Sequence, residues 1–194
     1  MLNQVLYISS VILMLSLGSH ALPVKVSKGA CPKNMTAVGD LNMKKYVGIW
    51  YPQLTYPLYL KAMPKCVKYN VTKSTGNKYL IRRSDIDSKS GKVRRRSTLI
   101  LRVDRKGGKY TIKTNKSPHG FNIFVLDTDY KTYSIQYGCI ELGGIINIVY
   151  VIIMTRDRFP SSEVIQRTQK LAKLSGIDQK TMVPILQNGC PIDV

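Results

Sequence analysis

The sequence is poor in the residues from which metal centres and nucleophilic sites are usually built. Its 194 residues include two histidines, His20 and His119, and eleven carboxylates against thirty lysines and arginines. None of the four cysteines belongs to a Cys-x-x-Cys pair, and the carboxylates form no paired motif. The sequence therefore offers few side chains from which a zinc centre, a Cys/His nucleophile or a pair of acid–base carboxylates could be built. We expect a protein that is not an enzyme and holds no metal or cofactor.

Long apolar runs are also missing. The N-terminal run from Val5 to Leu17 is too short to cross a membrane, and the Ser19-His20-Ala21 sequence after it fits cleavage by signal peptidase. We interpret residues 1–21 as a signal peptide and 22–194 as one secreted domain. The most apolar later segment, Ile145 to Met154, has the length of a strand, so we expect no membrane span.

The four cysteines fit an exported protein, because an even number of cysteines in an oxidising compartment forms disulfides. Two disulfides are expected, although four cysteines allow three pairings. Sequons at Asn34 and Asn70 predict N-glycosylation and mark exposed positions. The cysteines are Cys31, Cys66, Cys139 and Cys190.

Negative charge is scarce, and the formal net charge is +19. The predicted signal peptide contains no charged side chain, so the whole excess belongs to the mature chain. This balance favours an anionic lipid-like ligand, a sulfated matrix polymer or an acidic protein as partner, unless it serves solubility alone. Nucleic acid is the wrong partner for an exported protein.

Clusters of turn residues recur about every ten positions between Val47 and Arg158, with β-rich segments between them. This spacing predicts an all-β fold, an eight-stranded up-and-down antiparallel barrel over about residues 48–157. The strands are expected near residues 48–57, 66–74, 78–87, 92–103, 109–115, 121–130, 132–140 and 147–157.

A helix is predicted after the last strand. Residues 160–163 read Pro-Ser-Ser-Glu, which supplies a hydroxyl cap and an early acidic side chain, and Gly176 is a natural stop. Residues 161–174 should therefore form a helix whose apolar face packs on the barrel wall. The expected face consists of Val164, Thr168, Leu171 and Leu174.

Three separated motifs point to one family of barrels. Gly48-Ile49-Trp50 opens the first strand, Thr128-Asp129-Tyr130 forms the turn after the sixth strand, and Arg156 ends the eighth. In this order and with these intervals the sequence resembles the lipocalins, in particular the group that includes apolipoprotein D and the insect bilin-binding proteins.

The resemblance implies roles for these residues and a disulfide pattern. Trp50 and Arg156 would plug one end of the barrel by packing and a cation–π contact, and Asp129 would fix the neighbouring turn. Gly48, Thr128 and Tyr130 would likewise be structural. The implied disulfides are Cys31–Cys139 and Cys66–Cys190.

Alternation along the strands predicts which side chains face the interior, where each either lines a ligand cavity or fills the core. A glycan on Asn70 must face outward, which turns its neighbours inward. The predicted ligand-binding residues are Tyr56, Leu58, Tyr59, Val67, Tyr69, Val71, Arg83, Arg95, Leu99, Leu101, Tyr110, Ile112, Tyr133, Ile135 and Tyr137.

The opening should lie at the end opposite Trp50, bordered by residues 58–65 and 89–96 and by Lys116. Arg83 and Arg95 alternate in step with apolar residues of their strands, so their side chains could point into the barrel. A half-buried guanidinium pairs well with a ligand carboxylate. The predicted function is extracellular binding and transport of a small hydrophobic or amphipathic anion, such as a fatty acid or a bilin. The alternative is a secreted interaction protein whose basic surface binds polyanions or acidic proteins.

Overall fold

A computed structural model describes residues 25–32, 35–57, 63–76, 78–114, 117–192 and 194. The predicted signal peptide and several predicted positions lie outside the described residues: Asn34, Leu58, Tyr59 and Lys116. The side chains of Leu99 and Leu101 are also outside the described part.

The predicted eight-stranded antiparallel barrel is confirmed. Strands β2 to β9 each pair with the next, and β2 also pairs with β9, which closes the sheet on itself. The strands are β1 (Lys25–Lys28), β2 (Gly48–Thr55), β3 (Lys65–Lys73), β4 (Tyr79–Ile86), β5 (Val93–Asp104), β6 (Lys109–Thr114), β7 (Ser117–Thr128), β8 (Tyr133–Leu142), β9 (Ile146–Thr155) and β10 (Val183–Pro184).

Two short strands extend the sheet beyond the barrel. β1 pairs with β9, and β10 pairs with β2. Neither was predicted, because segments of four and two residues are too short to show an alternating pattern. β7 also begins four residues before the predicted position 121, since Thr114 pairs directly with Ser117 in a tight hairpin.

One end of the barrel is covered by a short helix, α1 (Met43–Tyr46). The Asn42 side chain accepts hydrogen bonds from the backbone N–H groups of Lys44 and Lys45, which caps this helix. Tyr46 is buried among the interior side chains of the barrel. This is the closed end, and the connections β2–β3, β4–β5, β6–β7 and β8–β9 lie at the other, open end.

The predicted C-terminal helix is present as α2 (Ser162–Leu174), and it packs against β7 and β8. Ser161 caps its first turn. Thr168 and Ala172 are buried under it, but Leu174 is 76% exposed, so the predicted apolar face is shorter than expected. A short 3₁₀ turn follows at Gln179–Thr181.

Two disulfides fasten the terminal segments to the barrel. Cys31 is bonded to Cys139 on β8, and Cys66 on β3 is bonded to Cys190. These are the two pairs that the family resemblance implied. Gln187 adds to the second attachment, because its side-chain amide donates to the carbonyl oxygens of Pro52 and Val67, at 2.8 and 2.9 Å.

Within the described part of the chain, no helix has the length and apolar character needed to cross a membrane.

Candidate ligand-binding site

Trp50 and Arg156 meet at the closed end. The Arg156 guanidinium carbon lies 3.7 Å from the centroid of the Trp50 ring. The same guanidinium donates to the carbonyl oxygens of Tyr130, Ile49 and Lys45, at 2.9 to 3.1 Å. It therefore joins the first barrel strand, the helix α1 and the β7–β8 turn at one point.

Gly48 makes room for this arrangement. Its φ angle is +106°, and a Cβ atom there would lie 2.9 Å from Nη1 of Arg156. Any other residue would have a strained backbone here, and its Cβ atom would clash with the Arg156 guanidinium.

The β7–β8 turn is held by the three predicted turn residues. Oδ1 of Asp129 accepts hydrogen bonds from the backbone N–H groups of Lys131, Thr132 and Tyr133, at 2.7 to 3.1 Å. Burial favours a raised pKa for Asp129, but hydrogen bonds from the Thr132 hydroxyl and from these amides lower that pKa below its ordinary value. The ring hydroxyl of Tyr130 donates to the carbonyl of Asp40, which ties the turn to the segment before α1.

A buried polar network lies just above the plug. The Gln136 side-chain amide donates to the hydroxyl oxygens of Tyr46 and Tyr110, at 2.6 and 2.8 Å. The Tyr46 hydroxyl also forms a 2.6 Å hydrogen bond with that of Ser134. Desolvation raises the pKa of Tyr46 to about 12. The network fills this part of the interior with uncharged groups that are hydrogen-bonded to one another.

The network shows that the prediction for β8 was wrong. Ser134 and Gln136 face the interior, whereas Tyr133, Ile135 and Tyr137 face outward and are buried in a second cluster together with Ala172 of α2. Tyr56 belongs to the same outer cluster and not to the interior. The helix covers this wall, so outward positions are apolar as well, and alternation cannot tell the two faces apart.

The prediction for β5 was wrong in a similar way. Arg95 is exposed and faces outward, while Arg94 and Arg96 on either side of it face inward. Ile100 is buried in the interior cluster, and an irregularity in the register follows it before Arg102. A bulge of this kind shifts the parity of a strand, which a strict alternation rule does not anticipate.

Other predicted residues do lie inside. Val71, Tyr110 and Ile112 are buried in the interior cluster, and Tyr69 packs against it. Val67 is buried as well, at the open end of β3. Their contact with a ligand remains a prediction.

Charged side chains gather inside the open end. Asp85 on β4 is fully buried, and three guanidinium groups surround its carboxylate. Arg94 donates to it through both Nε and Nη2, and Nη1 of Arg94 also lies 2.5 Å from Asp87 at the rim. Nη1 of Arg96 lies 3.6 Å from Asp85. We call Arg83, Asp85, Arg94 and Arg96 the arginine cluster.

The sequence predicted Arg83 at an inward position and residues 89–96 at the opening, but it did not turn Arg94 and Arg96 inward and did not indicate Asp85. Three consecutive arginines on β5 leave the parity undecided, because either Arg95 alone or its two neighbours face inward. The signal that decides it is Asp85, which the register places directly opposite Arg94. A carboxylate at an inward position of β4 predicts guanidinium partners at inward positions of β5.

The arginine cluster has unused hydrogen-bonding capacity. Nε of Arg83 lies 2.9 Å from Oδ1 of Asp85 but not in hydrogen-bond geometry, and both atoms are buried without a hydrogen-bond partner among the described residues. Nη2 of Arg96 is in the same state. Desolvation, followed by the repulsion of Arg83, lowers the pKa of the Arg96 guanidinium. The three arginines of the cluster face two carboxylates, Asp85 within the cluster and Asp87 at the rim, which leaves one positive charge unmatched.

Apolar side chains face this cluster and lie below it. The Tyr69 ring is 5.9 Å from the guanidinium carbon of Arg83. Across the barrel, Ile140 pairs with Ile148 on the interior side of β8 and β9, and Ile140 is 41% exposed although it faces inward. Ile140 is therefore accessible to solvent near the rim of the open end. The opening joins a positively charged wall to an apolar wall, an arrangement suited to a molecule with an anionic head and an apolar body.

The described residues contain no group of three or more His, Cys, Asp or Glu side chains placed to hold a metal ion. The four cysteines are all in disulfides.

Comparison with known proteins identifies the class to which this barrel belongs. The model of the lipocalin / cytosolic fatty-acid binding protein family matches residues 48–189. The match covers most of the chain and includes all eight barrel strands, so this protein belongs to the lipocalin family.

Two curated relatives are apolipoproteins D. That of Macaca fascicularis is 31% identical over 68 residues, which is 35% of this chain and 36% of the relative. The chain thus spans about a third of that protein's length in this match. Apolipoprotein D of Cavia porcellus is 22% identical over 167 residues, 84% of this chain and 85% of the relative.

A solved structure shares the fold. Insecticyanin from the tobacco hornworm Manduca sexta superposes with a TM-score of 0.69 at 19% identity, covering 82% of this chain and 87% of the insecticyanin chain. At this identity the likeness concerns the fold alone.

Proposed function

We propose that this lipocalin is an extracellular carrier of a small amphipathic anion, whose acidic group is bound by the arginine cluster and whose apolar part enters the barrel. A fatty acid and a bilin with carboxylate arms both have this chemistry. Such a molecule would be cargo, and we assign the protein no cofactor and no catalytic step.

One observation carries the proposal: Nη2 of Arg96 is buried with no hydrogen-bond partner among the described residues, and Nε of Arg83, although 2.9 Å from Oδ1 of Asp85, makes no aligned hydrogen bond. Leaving a buried donor unpaired costs about 1–3 kcal/mol, and more if the group is charged. A carboxylate placed between the two guanidinium groups would accept from both and neutralise the unmatched charge. The half-buried position of both arginines lets such a group reach them from the open end.

The location outside the cell is supported by three features of the chain. The N-terminal run reads as a signal peptide, and both disulfides tie terminal segments to the barrel, which requires an oxidising compartment. The Asn70 sequon lies on a strand position that faces away from the interior. Sequencing the N-terminus of the secreted protein would test the first of these.

The ligand class is tested by calorimetry with a C16 fatty acid and its methyl ester, which differ in charge and hardly in apolar area. We expect the acid to bind more tightly. The Arg83→Gln/Arg96→Gln variant should lose about tenfold or more in affinity for the acid and little for the ester, because charged hydrogen bonds contribute about 1.5–3 kcal/mol each.

Arg82→Gln/Arg95→Gln is the matched control, because it removes two positive charges from exposed, outward positions of the same two strands. It should bind both compounds as the unmodified protein does. Thermal unfolding of all variants separates lost binding from lost structure. Equal binding of acid and ester, unchanged in the double variant, would show that the cluster does not select an anion.

A further inference from the structure

The exposure of the inward side chains falls sharply with depth below the arginine cluster. On β5 the side chain of Arg96 is 22% exposed, Thr98 is partly exposed and Ile100 is 1% exposed. On β8 Ile140 is 41% exposed, and Gln136, nearer to the closed end, is 4% exposed. The accessible surface of these inward side chains thus ends just below Thr98.

Ile100 lies in a packed layer that crosses three strands. It pairs with Tyr79 on β4 and with Ile112 on β6, and all three side chains are buried. Tyr110 and Ile123, which pair with each other nearer to the closed end, are buried as well. In an interior this closely packed, a ligand would have to displace a side chain in order to go deeper. We call Tyr79, Ile100 and Ile112 the floor.

The two walls above the floor differ. On the wall of β7 to β9, the edge-to-face rings of Phe121 and Tyr150 are both buried, and Phe121 lies over Gly138. On the wall of β3 and β4, Tyr69 and Ile81 pack against the interior cluster but are partly exposed. The accessible space above the floor therefore lies along β3 to β5, directly below the arginine cluster.

We propose that the floor makes this protein selective for a medium-chain carboxylic acid, with Ile100 as the residue that limits the chain length. This rests on the proposed function, in which the arginine cluster holds the acidic group. Arg96 and Ile100 are four residues apart on one strand, a rise of about 13 Å. With C–C bonds of about 1.5 Å, an extended acyl chain of about ten carbons has this length. Carbons beyond the tenth stay outside the apolar interior and add no affinity.

The test is calorimetry with a series of straight-chain acids from C6 to C16. The affinity should rise about threefold to fourfold with each added methylene up to about C10, the usual gain from burying a CH₂ group. From about C12 to C16 it should change by less than about twofold. An affinity that keeps rising to C16 would overturn the floor and leave the proposed function standing, whereas a series in which no acid binds would overturn both.

Ile100→Ala should deepen the accessible space by about two methylenes, because the substitution leaves only the Cβ atom of that side chain. The C12-to-C10 affinity ratio should then rise about fivefold or more. Ile153→Ala is the matched control, since it removes the same atoms from a fully buried isoleucine of the outer cluster. It should leave the ratio within about twofold of that of the unmodified protein. Equal rises in the two variants would show a general loosening of the barrel and overturn the proposal.

A milder variant keeps the test decisive if Ile100→Ala does not fold. Ile100→Val creates less space and should raise the same ratio by about twofold. In addition, the C12 acid should raise the unfolding temperature of either Ile100 variant more than that of the unmodified protein, because its tail fills the space that the substitution leaves. A folded Ile100 variant with an unchanged ratio would show that this side chain does not limit the chain length.

Discussion

The ring of Phe121 on β7 lies directly over the backbone of Gly138 on β8. A Cβ atom on Gly138 would be 2.4 Å from Cζ of Phe121 and 3.0 Å from the carbonyl oxygen of Asn122. Phe121 also makes an edge-to-face contact with Tyr150, with ring centroids 6.5 Å apart. The missing side chain of one residue thus sets how far an aromatic ring reaches into the interior.

Gly138→Ala should therefore displace Phe121 and destabilise the protein by about 1–3 kcal/mol, the usual cost of overpacking a core. The free energy of unfolding from urea titration measures this. Phe121→Leu in the Gly138→Ala background should recover part of the loss. Additive effects of the two substitutions would mean that the ring and the glycine do not constrain each other.

Arg156→Lys should cost about 2–3 kcal/mol of unfolding free energy. An ammonium group cannot donate to three carbonyls in the plane of a guanidinium or stack in the same way on Trp50. Arg105→Lys is the matched control, because Arg105 is largely exposed and pairs with Asp40 on the surface. That change should stay within about 0.5 kcal/mol. Similar losses in both would argue against the plug.

Gln136→Leu should destabilise the protein by about 2 kcal/mol, because the Tyr110 hydroxyl would be left buried without its hydrogen-bond donor. Tyr46 keeps its bond to Ser134, so the loss should centre on Tyr110. Adding Tyr110→Phe should then restore stability, whereas the same change in the unmodified protein should reduce it. The network would be refuted if Tyr110→Phe had the same effect in both backgrounds.

Asp129 should make the protein acid-sensitive. Its folded-state pKa is lowered, so its ionised form stabilises the fold above the unfolded pKa of about 4, and that contribution is lost as the pH falls through the folded pKa. Asp129→Asn should lower the unfolding free energy at pH 7 by about 1–2 kcal/mol and by less near pH 3. A difference that is the same at both pH values would show that the carboxylate charge does not act through the turn.

Much of the barrel was predictable from the sequence. Turn clusters delimit the eight strands well, because Gly, Asn, Asp and Ser residues supply the conformations that hairpins need. The plug residues and both disulfides followed from the family resemblance. These features depend on local chemistry or on motifs at fixed intervals, and neither requires knowledge of which face of a strand is inside.

The interior side chains of the barrel were harder to predict, because their assignment depends on which face of each strand is inside. On β8, Ile135 was assigned to the interior, but it faces outward, and Gln136 faces inward. The outer wall is buried by α2, which the strand itself does not reveal. On β5, Arg94, Arg95 and Arg96 are equally polar, so alternation cannot show which of them face inward. Only pairing with Asp85 on the neighbouring strand decides it, and such pairing depends on register.

The pairing of β2 with β9, which closes the barrel, joins Tyr51 to Thr155. The two disulfides link residues that are 108 and 124 positions apart. Contacts of such long range form slowly, because the loop between them must be ordered first. Until closure, β2 and β9 are open sheet edges that can pair with other chains. We therefore expect refolding to be slow and its yield to fall with protein concentration, and both to improve when disulfide exchange is allowed.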